Sequence, residues 1–169
     1  MQGILFKETA LTMAKMQKIG ILLGGPDLSH RECTAVLVKN LRIYNMPAGV
    51  FSVGGSNNSF IGNYFDKSSM EIQGNANGTG DLIKHNNLVN TTVLFDLNPN
   101  GTDIITENNF ASSTLYLALS NAPIVDRNYW SHYTAKYPSA KELDSSGIRD
   151  TPYVYGTFQG VNSSVDYHP

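Results

Sequence analysis

Apolar and polar positions through the middle of the chain repeat one short phrase: SFIGNYF, DLIKHNNL, DIITENNF and PIVDRNYW. Aligned on the asparagine that follows an apolar residue by three positions, the phrases anchor at Asn63, Asn86, Asn108 and Asn128, with a weaker earlier copy in LVKNL at Asn40. From Asn40 onward successive anchors stand 23, 23, 22 and 20 residues apart. A near-constant period of this size marks a solenoid, in which each repeat stacks only on its neighbours. Three residues before the anchors stand Phe60, Ile83, Ile105 and Val125, and two after them Phe65, Leu88, Phe110 and Trp130. Both columns are apolar throughout, so both can point inward. A further set alternates after each anchor: Met70, Ile72 and Gly74; Val93, Phe95 and Leu97; Leu115, Leu117 and Leu119. Alternation is the period of a strand. Each repeat therefore supplies at least two short strands separated by turns of Asn, Gly, Ser and Pro. Strands recurring once per repeat pair with the repeats above and below, which predicts an all-β, right-handed parallel β-helix with rungs of about 20–23 residues.

A buried column of asparagines is consistent with this stacking once its partners are counted. One amide carries two donors and two acceptor lone pairs, and copies spaced at ~4.8 Å can bond along the column. Asn63, Asn86, Asn108 and Asn128 are the expected structural ladder.

The regular rungs run from 36 to 128. Residues 1–35 read as an amino-terminal cap or an irregular first rung, with Thr9–Lys18 open to either helix or strand. IGILLGG at 19–25 resembles AGVFSVGG at 48–55 and reads as an early strand, followed by a loop. Asp27, His30, Glu32 and Cys33 in that loop match no zinc spacing. After Trp130 the period fails, and Tyr129, Trp130, Tyr133, Tyr137 and Tyr153 crowd a segment that can cover the open end of the stack. Residues 129–169 are the expected carboxyl-terminal cap, truncated at its end.

Composition narrows the partners. A net charge of −2 with 15% charged residues gives no electrostatic footprint for nucleic acid or an anionic membrane. The single cysteine, Cys33, excludes an intrachain disulfide and a CxxC site. No apolar run reaches the ~18 residues of a membrane span, and no secretory signal is recognisable. The chain reads as a monomer or as part of a longer one.

Candidate chemistry comes from comparing rungs. One residue before the anchors stand His85, Glu107 and Arg127, and two before them Lys84, Thr106 and Asp126, which reads as a solvated sheet face with compensated charges. Asp81 and Asp103 each lie five residues before an anchor, so stacking brings them together. Two carboxylates at rung spacing can share Ca²⁺ or act as an acid–base pair, although Asp is also a common turn residue. Asp81, Asp103, His85, Glu107 and Arg127 are therefore the candidate ligand-binding set, with Glu107 expected to neutralise Arg127.

The rungs, followed by NYWSHY, DSSGIRDTPY and VDYHP, resemble the carboxyl-terminal part of NosD-type right-handed parallel β-helix proteins. The matching positions are Asn128 to Ser131, Tyr133, Asp144, Gly147, Ile148, Asp150 to Tyr153 and Asp166 to Pro169; His132 stands where the family has Asp. The resemblance implies an exported or cell-envelope protein, linked either to copper delivery or to carbohydrate-binding and sugar-hydrolysing β-helix modules. The scattered Met and His residues do not form a copper set. Asp144 and Asp150, with the Ser145 and Ser146 hydroxyls around Gly147, resemble the family's Asp-Gly turns and offer a weak calcium site; no other cofactor is expected. Two functions follow: a non-catalytic structural or carbohydrate-binding module facing a polysaccharide or cell-surface glycan, or a polysaccharide lyase or glycoside hydrolase on the same fold.

Overall fold

A computed structural model describes residues 19–23, 33–73, 80–96, 102–117, 123–155 and 164–169. The stretches 1–18 and 24–32, with Asp27, His30 and Glu32, lie outside the described residues, as do Gly74, Leu97 and Leu119.

The chain is an all-β parallel solenoid with three strands per rung. After β1 (Ile19–Leu23) come β2 (Leu37–Lys39), β3 (Arg42–Tyr44) and β4 (Ala48–Val53). The next rung holds β5 (Ser59–Ile61), β6 (Tyr64–Asp66) and β7 (Ser69–Gln73). Then follow β8 (Leu82–Lys84), β9 (Asn87–Val89) and β10 (Thr92–Asp96), and after them β11 (Ile104–Thr106), β12 (Asn109–Ala111) and β13 (Thr114–Leu117). β14 (Ile124–Asp126) and β15 (Tyr129–Trp130) begin a last rung. Equivalent strands pair in parallel into three five-stranded sheets: the first β2-β5-β8-β11-β14, the second β3-β6-β9-β12-β15 and the third β1-β4-β7-β10-β13.

Each three-residue strand of the first two sheets buries its middle residue and turns its ends outward. The buried columns are Val38, Phe60, Ile83, Ile105 and Val125 in the first sheet, and Ile43, Phe65, Leu88, Phe110 and Trp130 in the second. Val50, Met70, Val93 and Leu115 close the core from the third. Each such side chain contributes roughly 1.5–3 kcal/mol by leaving water.

The register corrects the earliest repeat. Val38 pairs with Phe60, so Asn40 aligns with Gly62 and not with Asn63, whose level is occupied by Leu41. Asn40 resembles an anchor because it sits at the corner, where its φ of +56° places it in the left-handed region that Asn tolerates.

After β15 the chain leaves the helix through a short α1 (Tyr133–Lys136) and a turn-rich segment to β16 (Tyr153–Tyr155), which pairs antiparallel with β17 (Ser164–Asp166). Trp130 is stacked between Phe110, at 4.3 Å between ring centroids, and Tyr153, at 4.4 Å. The buried Tyr133 donates its hydroxyl to Thr151 O at 2.6 Å. The aromatic column thus continues the core into the cap.

Candidate functional site

The asparagines stand at the corner between the first and second sheets, each directly after a left-handed residue: Gly62, His85, Glu107 and Arg127. That residue turns the chain sharply and aims the next side chain inward, so Asn63, Asn86, Asn108 and Asn128 are all buried. Asn63 Oδ1 accepts from Leu41 N at 3.1 Å, and from Asn86 upward each Oδ1 accepts twice from the asparagine one rung below. Asn63 N and Nδ2 donate to Asn86 Oδ1 at 2.9 and 3.0 Å, and Asn86 N and Nδ2 both reach Asn108 Oδ1 at 2.9 Å. Asn108 N and Nδ2 both reach Asn128 Oδ1 at 3.0 Å. The same amide groups also donate to carbonyls one rung down, as Asn86 Nδ2 does to Phe60 O at 2.9 Å.

The ladder ends on a residue that sequence reasoning noted only as part of a motif. Asp166, fully buried, accepts at Oδ2 from Asn128 N at 3.0 Å, Asn128 Nδ2 at 3.1 Å and Trp130 Nε1 at 3.0 Å. The missing signal was arithmetic: the top asparagine of a stack still needs an acceptor for its backbone N–H.

Two further ladders line the other corners. Where the third sheet passes to the first sheet of the next rung, Val36 N donates to Asn58 Oδ1 at 3.0 Å, Asn58 N to Asp81 Oδ1 at 2.7 Å and Asp81 N to Asp103 Oδ1 at 2.8 Å. Between the second and third sheets, Met46 N donates to Ser68 Oγ at 3.2 Å and Thr91 N to Ser113 Oγ at 2.9 Å. Asp81 and Asp103 are thus stacked, but as buried acceptors for backbone N–H groups. Burial pushes the Asp81 carboxyl up to about 6, against the opposing bond from Asn58 and with help from the Asp103 charge. Burial likewise raises Asp103, and it raises Asp166 against the bonds from Trp130 and Asn128.

The five candidate ligand-binding residues do not form one site. Asp81 precedes β8 and His85 follows it, which separates them by about 13 Å of extended chain. His85, Glu107 and Arg127 share the opposite corner at φ of +55°, +54° and +57°, so they are turn residues and not part of a strand face. Glu107 contacts the His85 imidazole and Lys84 Nζ, the latter at 3.2 Å, and these contacts hold its carboxyl below the usual range. Arg127 faces Asp126, with Nε at 3.7 Å from Oδ2, so the expected pairing with Glu107 is replaced by one within its own rung. Asp126 also contacts His168 Nδ1 at 2.6 Å.

Asp144 and Asp150 are separated too. Glu142 and Arg149 form an antiparallel bridge and Leu143 N donates to Ile148 O at 2.9 Å, which puts Asp144 at the tip of a small hairpin and Asp150 at its base, roughly 10 Å apart. Asp144 is lowered by the Ser146 hydroxyl and by Ser146 N, which donates to its Oδ1 at 2.7 Å, and Asp150 by Lys141 N, which donates to its Oδ1 at 2.9 Å. Among the described residues no three His, Cys, Asp or Glu side chains converge as a metal set. No helix among them is long and apolar enough to cross a membrane.

The outer face of the second sheet carries both rings and amides. One outward column reads Arg42, Tyr64, Asn87, Asn109, Tyr129 on consecutive strands, and the column beside it Tyr44, Asp66, Val89, Ala111. Asn109 Nδ2 donates to Asn87 Oδ1 at 3.0 Å, an external echo of the buried ladder. The Tyr44 and Tyr64 rings are tilted together at 5.5 Å, while Tyr129 at the upper end is 62% exposed.

Comparison with protein-family models, curated proteins and solved structures found no match to this chain.

Proposed function

We propose that the chain is a non-catalytic β-helix module of an exported or cell-envelope protein, NosD-like in its ending, that holds an extended carbohydrate. The observation that carries this reading is how the candidate acid–base residues are employed. Asp81 and Asp103 accept backbone N–H groups of the rung below, Glu107 is taken by Lys84 and His85, and Arg127 by Asp126. Cleavage of a polysaccharide asks for titratable groups converging on one reacting centre, with a cation to stabilise developing charge. Binding asks for a flat, weakly charged face with aligned polar groups, and the stacked sheets offer faces of that kind.

A lyase or hydrolase on the same fold draws support from one observation, the Asp81 carboxyl at about 6, in the range of a general acid. Its burial and its commitment to Asn58 N weigh against that role. Co-sedimentation with insoluble neutral and acidic polysaccharides tests the binding reading. Retention on at least one polymer is expected, and no retention on any of them would refute it.

A further inference from the structure

The geometry points to the outer face of the second sheet, from Tyr64 to Tyr129, as a platform for a neutral glycan; this assignment rests on the carbohydrate-binding reading and gives it a place and a ligand class. The strands of Tyr64 and Tyr129 are three sheet spacings apart, roughly 14 Å. Between them the outward side chains shorten to Asn87, Val89, Asn109 and Ala111. The result is a shallow bed the length of a short oligosaccharide, with a tyrosine at each end.

Its chemistry selects the occupant. Ring faces attract the aliphatic C–H surfaces of sugar rings, and amides offer both donors and acceptors to hydroxyls. With Asn109 Nδ2 donating to Asn87 Oδ1, the exposed Asn87 keeps its Nδ2 donors to give. The four residues of the bed are all uncharged; Arg42 and Asp66 stand at its lower edge, one of each sign. Lys67 follows Asp66 at one corner, and Glu107 and Arg127 stand at the other, so an acidic polymer would meet anions among the cations, whereas a neutral polymer has no such conflict.

The first sheet offers a different surface. Its outward column of Leu37, Ser59, Leu82, Ile104 and Ile124 is aliphatic apart from the Ser59 hydroxyl, without rings or amides, and serves as the internal control.

The test is calorimetric titration of the intact chain with neutral oligosaccharides (gluco-, manno- and xylo-series) and with oligogalacturonate. Tyr129→Ala, Asn87→Ala and the control Ile124→Ser are compared, with melting curves verifying the fold of each. A neutral series should bind best, with affinity falling about tenfold in Tyr129→Ala, since a lost ring contact is worth ~1.4 kcal/mol. Asn87→Ala should fall severalfold and Ile124→Ser should match the parent. Neutral binding unchanged in both platform variants would overturn the platform while leaving carbohydrate binding intact. Preference for oligogalacturonate would overturn the neutral class. Binding of no saccharide would overturn the platform, and with polymer retention also absent it would take the underlying reading down as well.

Discussion

Replacing Asn86 by alanine removes the middle of the buried ladder, and the structure gives the cost. Its Oδ1 is the acceptor for both Asn63 N and Asn63 Nδ2, and its Nδ2 donates to Phe60 O and Asn108 Oδ1. Asn63 Nδ2 retains Val38 O, and Asn108 Oδ1 retains Asn86 N, so those partners are only weakened. The Asn63 backbone N–H loses its acceptor in a site sealed from water. An orphaned buried donor costs about 1–3 kcal/mol, and the lost amide leaves a small void that adds to it. Asn86→Ala should therefore destabilise by about 2–4 kcal/mol, read as a shift in the urea midpoint at unchanged slope. Asn90→Gly is the matched control: Asn90 is exposed with φ +47°, so glycine relieves its backbone and the change should stay within about 0.5 kcal/mol of the parent. Equal midpoints for the two variants would refute the ladder as a source of stability.

Asp166→Ala should cost about 2–4 kcal/mol, because Asn128 N and Trp130 Nε1 both lose their acceptor, whereas Asp166→Asn keeps an acceptor oxygen and should stay within about 1 kcal/mol. Equal losses in thermal or urea unfolding would show that the charge, not the acceptor, matters. The raised carboxyls of Asp81, Asp103 and Asp166 mean that the folded chain holds these protons more tightly than the unfolded chain. Their stabilising contribution is complete below the ordinary value of 3.8 and is lost as pH rises through the raised folded values, about 6 for Asp81, so the melting temperature should increase from pH 7 to pH 5; a decrease would contradict the assignment. Lys67, exposed at φ +48°, should gain about 0.5–1 kcal/mol on replacement by glycine, and a lower melting temperature would contradict the strain assigned to that corner.

The solenoid was legible because stacking repeats chemistry. Phe60, Ile83, Ile105 and Val125 must share a side of the core if their strands share a sheet, and the structure buries all four. The corners were less legible. A one-residue shift between Asn40 and Asn63 is invisible when both are asparagines, since one serves by tolerating positive φ and the other by bonding inward. His85, Glu107 and Arg127 read as a charged face because nothing in a charged side chain announces a left-handed backbone. Asp81 and Asp103 were correctly stacked on paper, but their employment depends on which backbone N–H groups the third corner leaves unpaired. Asp166 is 38 residues from Asn128, a separation no local period can bridge. The proposed platform was not legible because its residues differ from rung to rung, and only their register gathers Tyr64, Asn87, Asn109 and Tyr129 into one column.

The proposed module holds a carbohydrate without cleaving it. Polysaccharide retained by the protein can be incubated at length, with and without Ca²⁺ and at pH 5 and pH 7, then assayed for new reducing ends, for unsaturated products and for chain length. Retention with unchanged chain length is the predicted result. Turnover by the parent chain that disappears in Asp103→Asn, a variant that keeps the ladder's acceptor oxygen, would contradict it and establish the lyase or hydrolase reading instead.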